Sequence, residues 1–174
     1  MATIAIAPLT AAAFARFGDV IDAVGGTPLP INQGFAQRID DRARIDVTAD
    51  GGQINVSLFT ALARPRPIAV TVMERHPLGS QLFYPLQDQP WLVLVCGAPN
   101  DPQSYRAFQA TGQQGVNYAR GVWHHPLLVL HDHARFIVVD RAGPGNNLEE
   151  AWLDADCALE LVPPPSHQSH APQE

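Results

Sequence analysis

The chain has 174 residues, 17 acidic against 11 basic side chains for a formal net charge of -6, and 46% apolar against 16% charged residues. That length and balance describe one globular domain able to bury its own core, and they exclude the disordered and fibrous classes. All 11 basic residues are arginine, which excludes lysine bases, Schiff-base chemistry and Walker-type phosphate loops, and leaves no polybasic face for nucleic acid or an anionic membrane.

In chain order, MATIAIAPL has no basic n-region and its apolar stretch stops at Pro8, so it does not read as a secretory signal. Thr10 can cap a short helix over Ala11–Phe17, with Phe14 and Phe17 on one face and Gly18 as its stop. INQGFAQRID follows as a loop or strand; its Asn32, Gly34 and Arg38 could lie over the mouth of a barrel, although composition alone makes it a turn. Strands are expected at Ile54–Thr60, Ile68–His76, Trp91–Cys96, Tyr105–Ala110, Leu127–Leu130 and Phe136–Asp140. Asn146–Leu161 reads as a closing strand or a helical turn, with Trp152 over a barrel end. Residues 1–162 form one domain in this reading, and the Pro-rich 163–174 a solvated tail whose His167 and His170 are surface polar residues.

The 13 glycines and 16 prolines punctuate the chain as they do in folds of many short strands. No long amphipathic helix lies between the strands, which disfavours a βαβ nucleotide-binding sheet and hence a nucleotide cofactor. The expected fold is mainly β, an antiparallel barrel or jelly roll with one short N-terminal helix. Cys96 and Cys157 are too few and too far apart for a disulfide framework or a zinc ribbon, and read as buried apolar residues in a reducing compartment. No run approaches the ~18 apolar residues of a membrane helix. A cytoplasmic protein is expected.

Two segments concentrate chemistry. If Ile68–His76 is one strand, its period of two places Val70, Val72, Glu74 and His76 on one face, with Met73 and Arg75 on the other. Such a strand leaves the core and ends at a pocket; the alternative is a local Glu74–His76 pair or a Glu74–arginine pair. Pro77 and Gly79 then turn the chain so that Gln81 and Tyr84 return toward the same mouth. In GVNYARGVWHHPLLVL the adjacent His124 and His125 face opposite sides of a strand, so at most one points into a barrel, and His124 shares its side with Val122. Asn117, Tyr118, Arg120 and Trp123 crowd the same stretch, which favours a site over a surface pair. His131 and His133 have the strand spacing of a metal pair, but Asp132 and Ala134 sit where two strands would join, so a hairpin tip is expected. Asp140, before the AGPGNN loop, reads as a structural partner of Arg141 or another arginine.

Two ligand-type residues one position apart, a third five later, and a following Gly-x-x-His resemble the motifs of cupin barrels. Here these are Glu74, His76 and Gln81, then Gly121 and His124; Glu74 stands in place of the usual His and Gln81 in place of the usual Glu. Over whole segments the chain resembles the ureidoglycolate lyase family, also called ureidoglycolate hydrolase. ERHPLGSQ, GVNYARGVWHHPL, VDR before a Gly-rich loop, INQG with a following Arg, and PLTAAAFARFGDVI carry the likeness from Pro8 to Asn147. It departs at Ala119 and Gly121, and in the Pro-rich C-terminus.

The resemblance implies an enzyme of purine catabolism, in the allantoin branch, that splits ureidoglycolate into glyoxylate and urea. It further implies a cupin-like barrel, a homodimer and a divalent metal, nickel in some members. Ureidoglycolate is a carbinolamine, and its collapse needs the hydroxyl proton removed while the departing urea nitrogen is protonated, so an acid and a base must flank one carbon. Glu74, His76 and His124 are the candidate reactive cluster, either as acid and base directly or as ligands of Ni, Zn or Mn. Arg38 or Arg141 would clamp the substrate carboxylate, with Asn32, Gln81 and Tyr118 fixing the ureido group. Two other readings stay open: a different metal-dependent cupin enzyme on a small polar acid, such as an isomerase, and a non-catalytic small-molecule-binding barrel. No attached DNA-binding helices or basic face favour a sensor.

Overall fold

A computed structural model describes residues 3–154 and 159–162. β1 (Thr3–Pro8) leads to Thr10, whose hydroxyl accepts from the Ala13 N–H at 3.2 Å and starts α1 (Ala11–Phe14). The helix is shorter than the expected Ala11–Phe17. The Phe17 N–H bonds the Phe14 carbonyl three residues back, which tightens the last turn, and Gly18 opens β2 (Gly18–Ile21) at φ +145°. A β-carbon on Gly18 would collide with the Asn117 backbone, so only glycine lets this strand lie against its neighbour.

INQGFAQRID is a hairpin of β3 (Leu29–Ile31) and β4 (Ala36–Arg38), which pair with each other in a sheet of their own. β5 (Gln53–Ala61) follows. The single strand expected over Ile68–His76 is two, β6 (Ile68–Val70) and β7 (Val72–Arg75), broken at Thr71, whose carbonyl accepts from the Leu153 N–H. The break shifts the side-chain phase. Met73 joins Ile68 and Val70 in one core cluster, while Val72 is buried outside it, so the expected common face of Val70, Val72, Glu74 and His76 is not formed. β9 (Trp91–Cys96), β10 (Arg106–Ala110), β12 (Trp123–His124), β13 (Leu128–Val129) and β14 (Ala134–Ala142) fall near their expected places, whereas β8 (Gln81–Pro85) and β11 (Gly115–Tyr118) are strands that the sequence reading did not expect. The segment expected as a closing strand or a helical turn supplies two strands, β15 (Glu149–Trp152) and β16 (Leu159–Val162).

Two curled sheets result. One orders β15-β7-β12-β9-β10-β1-β16-β6, with β13 also on β9; the other orders β2-β11-β8-β14-β5. Pairing is antiparallel except at β1, which runs parallel to both β10 and β16. β9 explains the rest of the packing. Its six residues are all buried, and they alternate between two cores. Trp91, Val93 and Val95 meet Phe14, Phe83 and Phe136 between the sheets. Leu92, Leu94 and Cys96 meet Met73, Tyr105 and Leu161 on the other side. A strand covered on both faces needs an unbroken apolar run, which WLVLVC supplies.

Three local expectations are corrected. Trp152 does not cap a barrel end: it is 70% exposed, because β15 forms the outer edge of its sheet. Among the described residues no ion pair joins Asp140 to an arginine; it accepts from the Asn55 side-chain amide at 2.9 Å, while Arg141 turns to backbone carbonyls. His131 and His133 are exposed on a turn, as expected, but it joins strands of different sheets and is no hairpin tip. Cys96 is free and buried, whereas Cys157, His167, His170 and the tail lie outside the described residues.

Candidate active site

Four strand ends from the two sheets meet at one end of the molecule. Glu74 on β7 lies directly across from His124 on β12, and Gln81 on β8 directly across from Tyr118 on β11. His76 follows β7, and its carbonyl accepts from the Gly121 N–H at 2.9 Å, which ties the two motifs together. The structure thus brings together the side chains that sequence reasoning grouped, although the strand phase that suggested the grouping is not the one observed.

One ligand-type atom from each of Glu74, His76 and His124 lies within 4.8 Å of the other two. His124 is 1% exposed. Its Nδ1 faces the Val122 carbonyl at 2.9 Å, while Nε2 faces Glu74 Oε1 at 3.5 Å and Gln81 Oε1 at 3.2 Å. All three neighbours are acceptors, so Nδ1 donates to the Val122 carbonyl and Nε2 is turned toward two oxygen atoms, where a cation could also sit. The Tyr118 ring stacks on this imidazole at 4.1 Å and 8° and fixes its plane. His76 Nδ1 donates to the Asn147 carbonyl at 2.7 Å, and its buried Nε2 has no hydrogen-bond partner. A buried lone pair left bare is costly unless something outside the protein uses it.

Burial acts to raise the Glu74 carboxyl, but the hydrogen bond with His124 and the charges of the neighbouring imidazoles outweigh it, and the group stays ionised below its ordinary value of 4.5. Burial, with the Glu74 charge second, pushes the Tyr118 phenol far up, so it remains a neutral donor. A carboxylate and two imidazoles, each imidazole turning Nδ1 to a backbone carbonyl and Nε2 inward, fit a divalent cation of the N/O-preferring kind.

The expected substrate residues divide. Gln81 and Tyr118 belong to the cluster. Arg141 is buried and packs against Gly79, two residues before Gln81. It donates through Nε and Nη2 to the Ala49 carbonyl at 3.1 and 2.8 Å and through Nη2 to those of Asp50 and Pro144, while its Nη1 has no partner. Asn32 and Arg38 lie on the exposed β3–β4 hairpin, where Arg38 pairs with Asp40 at 3.0 Å; among the described residues, no hydrogen bond or ion pair links either to the cluster. Sequence reasoning missed Asn147, whose main-chain carbonyl meets His76 Nδ1, a contact with no signature in residue type.

The family model described as ureidoglycolate lyase matches residues 1–160. A ureidoglycolate lyase of Burkholderia mallei is 51% identical over 91% of this chain and 98% of its own length. Ureidoglycolate lyase 1 of Rhizobium meliloti is 48% identical over 95% and 96%, and the enzyme of Stutzerimonas stutzeri 46% over 94% and 97%. Among solved structures, a dTDP sugar isomerase of Desulfovibrio desulfuricans aligns at TM-score 0.41 and 20% identity over 76% of this chain and 83% of that one. A variant of Bacillus subtilis oxalate decarboxylase aligns at 0.37 and 14% over 57% and 24%. These structural likenesses are distant, and the fold class rests on the strand pairing itself. The sequence matches run through both site motifs and span nearly the whole of each relative, and on them this chain belongs to the ureidoglycolate lyase family.

Proposed function

We propose that this chain splits ureidoglycolate into glyoxylate and urea, with Glu74, His76 and His124 at the reaction centre. The observation that carries the reading is the convergence of one ionised carboxylate and two inward-turned imidazole edges within 4.8 Å. Collapse of the carbinolamine breaks the C–N bond while the O–H pair becomes the second bond of the new carbonyl. Glu74 or the bare Nε2 of His76 is placed to take the hydroxyl proton, and His124 to deliver one from Nε2 to the departing urea nitrogen. No water adds to the substrate, so the reaction is an elimination although its products look hydrolytic.

Tyr118 holds the His124 ring and offers a neutral phenol, Gln81 offers an amide to the ureido group, and the uncommitted Nη1 of Arg141 offers its N–H donors to the substrate carboxylate. Glu74, His76 and His124 would hold a divalent cation, nickel being the family-based choice over zinc or manganese, which when bound supplies Lewis-acid stabilisation of the developing alkoxide. The working form is a homodimer in the cytoplasm. Supporting the dimer, the outer face of the second sheet is apolar across three strands: Ile54, Val56 and Leu58 of β5 are 63–74% exposed, opposite Ile137 and Val139 of β14, with Leu82 next on β8.

The test is release of urea from ureidoglycolate by the full chain, before and after chelation and after return of Ni, Zn or Mn. The expected result is one urea per glyoxylate, lost with chelator and restored by one of the metals. No urea under any condition contradicts the lyase assignment, and urea release indifferent to chelator removes the metal from it.

A further inference from the structure

We propose that Asn147 is a positioning residue for the reaction centre, acting through His76. An imidazole of no fixed environment carries its proton on either nitrogen, and the hydrogen bond made by one nitrogen decides what the other presents. His76 Nδ1 meets the main-chain carbonyl of Asn147 at 2.7 Å, so the proton sits on Nδ1 and Nε2 turns inward as a bare lone pair. That carbonyl is useful only if it stays in place, and it belongs to the stretch after Gly143, Pro144 and Gly145, where both glycines have positive φ.

The Asn147 side chain supplies the anchor. Its Oδ1 accepts from the Leu78 N–H at 2.8 Å, two residues beyond His76. The same residue therefore grips the turn after His76 with its side chain and the His76 ring with its main chain, closing a short cycle of bonds around the imidazole. Arg141 clamps the other end of the stretch through the Pro144 carbonyl at 2.9 Å. β15 then continues at Glu149 into its pairing with β7, so Asn147 lies between two fixed points. Removing the side-chain acceptor frees the carbonyl to shift, and His76 loses the reason to keep its proton on Nδ1.

The consequence for turnover rests on the reading of Glu74, His76 and His124 as the reaction centre, but the tautomer of His76 does not. The experiment is therefore long-range ¹H–¹⁵N spectroscopy of ¹⁵N-histidine-labelled, metal-free full chain, for the wild type, Asn147→Asp and Asn147→Leu. Asp keeps the acceptor and Leu removes it at similar size. We expect His76 as the Nδ1–H tautomer in the wild type and Asn147→Asp, and a mixture with Nε2–H in Asn147→Leu. Calorimetric Ni(II) binding should weaken by about 10- to 100-fold in Asn147→Leu alone, the usual cost of losing an outer partner of a ligand. A wild-type His76 protonated on Nε2, an unchanged tautomer in folded Asn147→Leu, or loss of the tautomer in Asn147→Asp would each overturn the proposal. Should Asn147→Leu not fold, the wild-type and Asn147→Asp spectra still decide it. An intact tautomer in a chain that releases no urea would instead sink the functional reading and leave this one standing.

Discussion

His124 and His125 are neighbours in sequence, both buried, and put to different uses. His124 faces oxygen atoms, whereas His125 has Nδ1 on the Pro126 carbonyl at 2.6 Å and a buried Nε2 with no partner. Burial pushes the His125 imidazole down to about 4 from an ordinary 6.5, Arg64 adding to the effect and the Pro126 bond opposing it. The unfolded chain therefore takes up a proton below 6.5 that the folded chain refuses until about 4. The stability from a neutral His125 is complete above pH 6.5 and is lost as pH falls toward 4, on the order of 3 kcal/mol. Urea denaturation at pH 7 and pH 4.5 should show that loss, and His125→Gln should flatten it; an equally steep fall in the variant contradicts the assignment. The Cys96 thiol is buried and pushed up to about 12, chiefly by desolvation. Little thiolate exists at neutral pH, so iodoacetamide should label the Cys96 peptide only after unfolding, as read by mass spectrometry. Prompt labelling of the native protein would be the contrary result. Side-chain chemistry of this kind was legible in the sequence wherever it depends on residue type, as at Glu74, His76 and Gln81. The Val122 and Asn147 carbonyls that orient the rings were not, because every residue has a carbonyl and only the fold chooses which one is used.

At the scale of elements, legibility followed burial. WLVLVC could be read to the residue because both of its faces are covered and no polar residue blurs its ends. The break at Thr71 could not, because threonine is a good strand former and the break falls where the pairing partner changes from β16, beside β6, to β15, beside β7. The helix was overestimated for a related reason: Ala15 to Phe17 suit a helix, but the pairing of Gly18 with Tyr118 captures the chain first. Phe136 on β14 is fully buried and meets Trp91 edge-on at 4.9 Å between the sheets. Phe136→Ala should cost about 3–5 kcal/mol in chemical denaturation. A loss under about 1 kcal/mol would mean that the two sheets do not pack as described.

Among the described residues, most of the exposed large apolar side chains fall on one stretch, from Val24 to Leu62, and the β5 row is the densest part of it. A second copy related by a two-fold axis would meet this largely apolar face with the same face, Arg135 lying at its edge. Leu58→Glu should then convert a dimer into a folded monomer in sedimentation experiments; a wild-type monomer, or a variant that stays dimeric, contradicts that placement. The general architecture, mainly β with the site at strand ends, was readable from punctuation and motif spacing. The parallel pairing of β1 was not, since it depends on contacts between distant segments. The central claim is that Glu74, His76 and His124 act as one unit on ureidoglycolate, and turnover by His76→Ala, His124→Ala and the double variant tests it most directly. Each single change should lower kcat by at least about 100-fold with the fold intact, and the double variant should lose little more than the worse single, as groups of one mechanism do. Near-normal kcat in either single variant, or losses that simply multiply, would contradict it.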